Sequence, residues 1–327
     1  MARNRKVQTA SDLSNIADEN TNGNKKRARM SVKKYWQLYL MLIPVVVFFF
    51  LFNYLPMFGT VMAFQDYRIT RGFLHSEWVG LKNFIDIFTD SDFYQKMWNT
   101  IIISVSKIIF SLPLPIILAL LINEMRRKRL QKTVQTMIYL PHFVSWVILA
   151  GIMKSLLSPQ DGLINELLLH FGIIDEPILF LGRKDLFRPI VVLSDIWKNA
   201  GWGTIVYFAA ITGIDPALYE AAELDGAGRF KQMWYITLPC IRNTIAIVLI
   251  LSAGSILSAG FEHVLNLYNV SVYETGDIID TYVYRMGLTS NKFSYAAAVG
   301  LFKSIVSTIL VVFANKTANR LEAESLY

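Results

Sequence analysis

Tyr35 to Gln65 is a run of 31 residues without one Asp, Glu, Lys or Arg. A helix that crosses a bilayer needs about 20 mostly apolar residues, because in hydrocarbon every backbone N–H and C=O must be satisfied inside its own segment. This run is long enough to cross with tilt, and Pro44 and Pro56 are expected to bend it. Composition agrees: of 327 residues 54% are hydrophobic and only 17% are charged, where a soluble chain carries about 25%. The missing charge corresponds to surface that meets lipid.

Five further spans are expected: about 97–122, interrupted by Lys107, Pro113 and Pro115; 133–157; 189–214, with Asp195 and Lys198 near its start; 243–266; and 293–315, which carries Lys303. The sequence thus predicts an all-α polytopic membrane protein whose six-helix domain covers 35–317. A basic, disordered tail is expected over 1–34 and a short tail over 318–327.

Orientation follows from where Lys and Arg lie. The tail before Tyr35, the connection Asn123 to Lys132, the segment Gly213 to Arg242 and the tail after Phe313 together hold 19 of them, against nine in the alternate connections. Short connections retained in the cytoplasm keep more basic residues, so both termini are expected there. The net charge of +7 is then topogenic and calls for no nucleic-acid partner. A 34-residue polar tail before so long an apolar run also argues against a cleaved secretory signal.

Little chemistry is on offer. One cysteine, Cys240, cannot build a disulfide framework and beside Pro239 reads as packing, and His75, His142, His170 and His263 have no metal-ligand spacing. No phosphate loop or Gly-x-Ser-x-Gly occurs. Neither an enzyme nor a metal site is expected.

The connection 213–242 is too long for a turn. Asp215-Pro216 has the form of a helix start, an N-cap followed by proline at the first helical position. Good helix formers run to Leu224, Asp225-Gly226 supplies a bend at which glycine accepts positive φ, and a second amphipathic stretch reaches Leu238-Pro239. Tyr219, Ala222 and Phe230 are expected on an apolar surface, suited either to docking another protein or to lying on lipid.

Glu220-Ala221-Ala222, Asp225-Gly226-Ala227 and Ile236-Thr237-Leu238-Pro239, at this spacing, resemble the EAA loop of permease subunits in bacterial ABC importers. Val79-Gly80-Leu81-Lys82-Asn83-Phe84 with Asn99-Thr100 is similar to the first outer loop of carbohydrate importers. Asp195 to Trp202 and Tyr273 to Tyr282 are similar to the LplB-like branch, associated with oligosaccharides and polysaccharide fragments. The resemblance covers roughly 30–327. It implies a sugar permease of the bacterial inner, or cytoplasmic, membrane whose Glu220 to Pro239 loop docks on a cytoplasmic ATPase. It also implies the partners: a second homologous permease, two ATPase subunits that bind ATP and Mg in place of any cofactor on this chain, and an extracytoplasmic solute-binding protein.

Sugar rings stack on aromatics and hydrogen-bond to polar groups, so Trp146, Asp195, Trp197, Asn199, Trp202, Tyr207, Glu262, Asn266 and Tyr268 are candidates for a substrate path. Each has a plainer reading. Asp195 and Lys198, at i and i+3, either serve the path or neutralise one another. Glu262 and His263 are equally suited to an interface in water, and single Trp or Tyr residues commonly pack helices. Lys107, Lys154 and Lys303 read as snorkelling or ion-paired. The competing functional reading is an ion-coupled secondary carrier, for which Asp195 and Glu262 are the only intramembrane carboxylates.

Overall fold

The computed structural model describes residues 34–320, with side chains up to 317. Of the two expected tails, 1–34 lies outside the described residues apart from Lys34, and the last helix runs to Arg320, into the second tail. Contacts divide the chain into a first unit ending at Val61 and a second beginning at Met62.

In the first unit, α1 (Trp36–Phe49) continues through a π-helical turn, Phe50–Tyr54, and a short α-turn, Leu55–Met57. Pro44 sits inside α1 and Pro56 near the start of the short turn. Side chains from Leu40 to Phe52 are exposed and almost entirely apolar, the pattern of a helix solvated by hydrocarbon.

The second unit opens with a departure from an all-α fold. Gln65–Asp66 (β1) pairs antiparallel with Glu77–Trp78 (β2), closing a small ribbon before α2 (Lys82–Thr89). Asn83 holds it by donating to the carbonyls of Ala63 and Gln65 at 2.9 and 3.1 Å. Then follow α3 (Ser91–Ser111) and α4 (Pro113–Asn123), separated at Leu112, where the prolines remove backbone donors.

The next elements are α5 (Lys128–Tyr139), α6 (Trp146–Leu156), α7 (Leu163–His170) and the 29-residue α8 (Lys184–Thr212). After α8 come α9 (Pro216–Leu224), α10 (Arg229–Gln232) with a π-turn at Met233–Thr237, α11 (Arg242–Gly254), α12 (Phe261–Leu267), α13 (Ile279–Tyr284) and α14 (Phe293–Arg320).

Three helices among the described residues are long and apolar enough to cross a membrane: Trp36–Phe64, Ser91–Asn123 and Phe293–Thr317. Two expected spans are not straight. That at 133–157 is a pair of helices, Lys128–Phe143 and Trp146–Leu156, bent by 96°, and the chain from Arg229–Cys240 into Arg242–Gly254 bends by 57°. The span expected at 243–266 breaks instead at Ser255 to Gly260, between α11 and α12. α8 has the length to cross, but Lys184, Asp185, Arg188, Asp195 and Lys198 stud its first half.

α8 is the axis of this unit because its surface is small where neighbours press on it. A Cβ on Gly201 would collide with the Ile138 carbonyl of α5, and one on Gly203 would come within 3.0 Å of Pro115 on α4. Small residues permit this approach, and close packing is the main attraction left between helices once lipid replaces water. One buried cluster joins Ile103, Ala150, Phe187, Val191 and Val264, and a second joins Ala119, Tyr207, Ile211 and Ile241.

Candidate functional site

A cavity of about 360 Å³ lies between α3, α4, α8, α11 and the break at 255–260. Its volume falls in the range of small-molecule sites, about 300–1,000 Å³. Its polar wall comes from Ser104 and Lys107 of α3, Asp195, Asn199, Trp202 and Tyr207 of α8, and Ser252, Ser255 and Ser258. Ser104 Oγ, Ser111 Oγ and Tyr207 OH are buried without a protein partner, and all three belong to residues of this wall. A buried hydroxyl left unpaired costs roughly 1–3 kcal/mol, so these three are unmet polar demands beside the cavity.

Four of the nine expected path residues therefore meet here: Asp195, Asn199, Trp202 and Tyr207. The other five do not. Trp197 is exposed on another side of α8, and Trp146 stacks on His263 at 3.6 Å. Glu262 is exposed, Asn266 donates to the Glu262 carbonyl at 2.7 Å within its own helix, and Tyr268 stacks on Tyr273 at 5.1 Å.

Asp195 and Lys198 do not pair with each other. Lys107 takes Asp195, Nζ to Oδ1 at 2.9 Å, with His263 Nδ1 3.7 Å from the same oxygen. Lys198 instead donates to the carbonyls of His142 and Val144 at 2.6 and 2.7 Å, closing the turn that ends the Leu140–Phe143 3-10 helix. An i,i+3 spacing brings side chains near one another, but free carbonyls and a cation 88 residues away in sequence compete better. His142, which no sequence pattern marked, serves both cavity residues of this region: Nδ1 is 3.1 Å from Asn199 Oδ1 and its ring stacks on Trp202 at 4.7 Å. The only hint was its place beside Pro141, where the helix breaks. His263, read as a candidate for water, is fully buried.

The 213–242 connection folds as its residues dictate. Asp215 Oδ1 accepts from the Ala217 amide at 2.9 Å and Pro216 begins α9. At the other end Gly226 adopts φ +78°, with its amide donating to Glu223 O at 3.0 Å and the Ala227 amide to Ala222 O at 2.8 Å, the paired bonds of a Schellman turn. Glu220, Ala221 and Asp225 are exposed, as is Pro239, while Ile236 is half-buried. Leu238 packs against the cluster that contains Tyr207, so the connection and the cavity share one core.

The apolar face differs from expectation in its members. Tyr219 turns inward, its hydroxyl 2.9 Å from Thr237 Oγ1. Leu218, Leu224, Phe230, Trp234 and Tyr235 are the exposed large residues, Leu224 at 90%. Arg229 Nη1 reaches Glu124 Oε2 at 2.9 Å and ties the connection to the end of α4.

On the opposite side of the sequence pattern, a second network surrounds the Tyr273 to Tyr282 string. Asn99 Nδ2 donates to the carbonyls of Glu274 and Asp277 at 3.0 and 2.9 Å, and Arg188 donates to Asn99 Oδ1 at 2.7 Å and to Thr275 O at 2.9 Å. Asp277, fully buried, meets Arg285 at 2.6 Å. Burial works against the Arg285 charge, but this carboxylate outweighs it and holds the guanidinium above its ordinary range. Burial likewise raises Asp90, yet hydrogen bonds from Tyr282, Tyr295 and the Asp92 amide prevail and hold its carboxyl below the usual value.

Comparison with known proteins gives these features a family. The "Binding-protein-dependent transport system inner membrane component" family matches residues 111–322. The polygalacturonan/rhamnogalacturonan transport system permease protein YteP of Bacillus subtilis is 50% identical over 92% of this chain and 94% of its own length. Protein LplB of the same organism is 47% identical over 89% and 91%. Among solved structures, a chain of a bacterial alginate ABC transporter, crystallised with an alginate pentasaccharide-bound periplasmic protein, superposes with a TM-score of 0.82. The two share 42% identity over 91% of this chain and 99% of that one. These matches, to transport-system permeases and an ABC transporter, support the ABC permease reading over the ion-coupled carrier. The chain belongs to the binding-protein-dependent transport system inner membrane components, the membrane-embedded permeases of ABC transporters.

Proposed function

We propose that this permease imports oligosaccharides or polysaccharide fragments handed to it by an extracytoplasmic solute-binding protein. The observation that carries the cargo is the set of unpaired hydroxyls, Ser104, Ser111 and Tyr207, around one cavity with Asn199, Asp195 and an indole, Trp202. Sugar hydroxyls are at once donors and acceptors and satisfy such a wall, while an aromatic face receives the C–H side of a pyranose. The relatives named for polygalacturonan, rhamnogalacturonan and alginate transport support the same class.

The chain works in the bacterial cytoplasmic membrane with six spans and both termini inside. α1, α3–α4 and α14 are three of these, the bent chain of α5–α6 and that of α10–α11 two more, and α8 completes the set with Asp195 and Lys198 turned to cavity and protein. The partners are a second homologous permease and two ATPase subunits, which bind ATP and Mg. Glu220, Ala221, Ala222, Asp225, Gly226 and Ala227, with Ile236, Leu238 and Pro239, form the unit that docks on one ATPase subunit. Closure of the ATPase dimer around ATP moves this unit, and because Leu238 shares a core with Tyr207 the movement reaches the cavity wall. The cavity then opens outward to take cargo, and hydrolysis resets it.

The test is reconstitution with the partner subunits in lipid and measurement of ATP hydrolysis against a panel of glycan-loaded binding proteins. Stimulation by one glycan class, lost in Tyr207→Phe with the complex intact, is the expected result. An intact complex that stays silent across the panel removes the oligosaccharide reading.

A further inference from the structure

The break between α11 and α12 supplies Ser255, Ser258 and Gly260 to the cavity wall, and a single buried ammonium group meets it from across the cavity. Lys107 on α3 is 8% exposed. Its Nζ lies 2.8 Å from Ala259 O, 2.9 Å from Asp195 Oδ1 and 3.3 Å from His263 Nδ1. An ammonium has three protons and no acceptor, so all three are engaged, and Nδ1 must be the accepting nitrogen of His263. The ring proton then sits on Nε2 and is donated to Ser194 Oγ at 2.9 Å, while the serine proton goes to Ile190 O at 2.7 Å. With Lys107 charged, this tautomer of His263 gives each ring nitrogen a partner, and a buried polar cluster satisfied in this way holds its geometry.

Gly260 belongs to the same device. It adopts φ +93°, and a Cβ placed on it would stand 3.0 Å from Lys107 Nζ. The backbone turns left-handed at the point where the ammonium approaches, and a side chain there would displace it. Lys303, paired within the apolar α14, meets among the described residues the Asp280 carboxylate and no main-chain atom.

We propose that Lys107 is a positioning residue for cargo: it clamps the segment 255–260 to Asp195 so that Ser255 and Ser258 face the cavity. It also uses up the positive charge of the wall, so the site offers hydroxyls and a carboxylate oxygen to a polyhydroxylated ligand rather than a free cation. The inference rests on the reading of the cavity as a glycan passage.

The complete transporter, in liposomes with its partner subunits and the glycan-loaded binding protein, tests it by two readouts, hydrogen exchange of residues 255–260 and the concentration dependence of uptake. Lys107→Met removes the clamp but strands the Asp195 carboxylate and can prevent folding. Gly260→Ala keeps every charge but both crowds the ammonium at 3.0 Å and strains a positive-φ position within the segment, so it is read beside Lys107→Gln, which leaves Gly260 as it is. In whichever variant assembles, exchange at 255–260 is expected to rise about tenfold, with KM for loaded binding protein up about tenfold and the maximal rate within about twofold. Lys303→Met serves as the control and leaves exchange at 255–260 unchanged. Unaltered exchange there in Lys107→Met or Lys107→Gln overturns the proposal, as does a loss confined to the maximal rate. If the wild-type assembly transports no glycan, the passage reading falls, while the exchange measurement still decides whether Lys107 clamps the break.

Discussion

The hydroxyl of Tyr219 lies 2.9 Å from Thr237 Oγ1, joining α9 to the π-turn after α10 across the Gly226 bend. The two arms are therefore one hinged unit rather than two helices on a flexible string. The bend works only while Gly226 keeps φ +78°, a conformation that costs a β-branched residue roughly 1–3 kcal/mol.

Gly226→Val is accordingly expected to splay the arms and release the ATPase subunits, with the permease still in the membrane. Co-purification of the ATPase with the variant, at the wild-type ratio, would remove the docking role from this connection.

Asp215→Ala removes the side-chain acceptor of the Ala217 amide and is expected to cost about 1 kcal/mol locally. Hydrogen exchange over 216–224 should rise severalfold while that of α8 stays as it was.

A side chain at Gly201 has nowhere to go, because the Ile138 carbonyl already occupies the space of a Cβ. Gly201→Leu is expected to drive α5 from α8 and to lower the thermal midpoint of the purified complex by several degrees, or to prevent assembly. A midpoint within one degree of wild type would contradict the packing described.

Asp90 carries a pH dependence whose sign follows from its lowered carboxyl pKa. Its hydrogen bonds from Tyr282 and Tyr295 contribute fully above the unfolded value, about 3.9, and are lost as pH falls through the lower folded one. Thermal stability of the wild type should thus fall more steeply than that of Asp90→Asn when pH is taken from 5 to 3. Parallel curves would rule out Asp90 as the source.

What the sequence made legible was local. The Asp215-Pro216 start and the Gly226 bend depend on neighbours within a few residues, and both formed as their chemistry requires. Long-range choices were hidden. Nothing near Asp195 announces that its partner is Lys107, 88 positions away in sequence, or that Lys198 will prefer the carbonyls of a broken helix. The right-angle bend at 144–145 and the break at 255–260 both lie in stretches without charge, which read as continuous spans. For the second a signal existed: from Ser252 to Gly260 the chain is mostly serine, alanine and glycine, poor material for a lipid-facing helix and good material for a cavity wall.

The break between α11 and α12 has a consequence for the resting transporter. Chain that leaves the helical ladder at membrane depth survives only against protein or water, never against lipid tails. With Ser255, Ser258 and Gly260 in the wall, the open backbone of this break is turned to the chamber. The chamber is thus what shelters it from the bilayer, and a cargo passing through meets main chain as well as side chains.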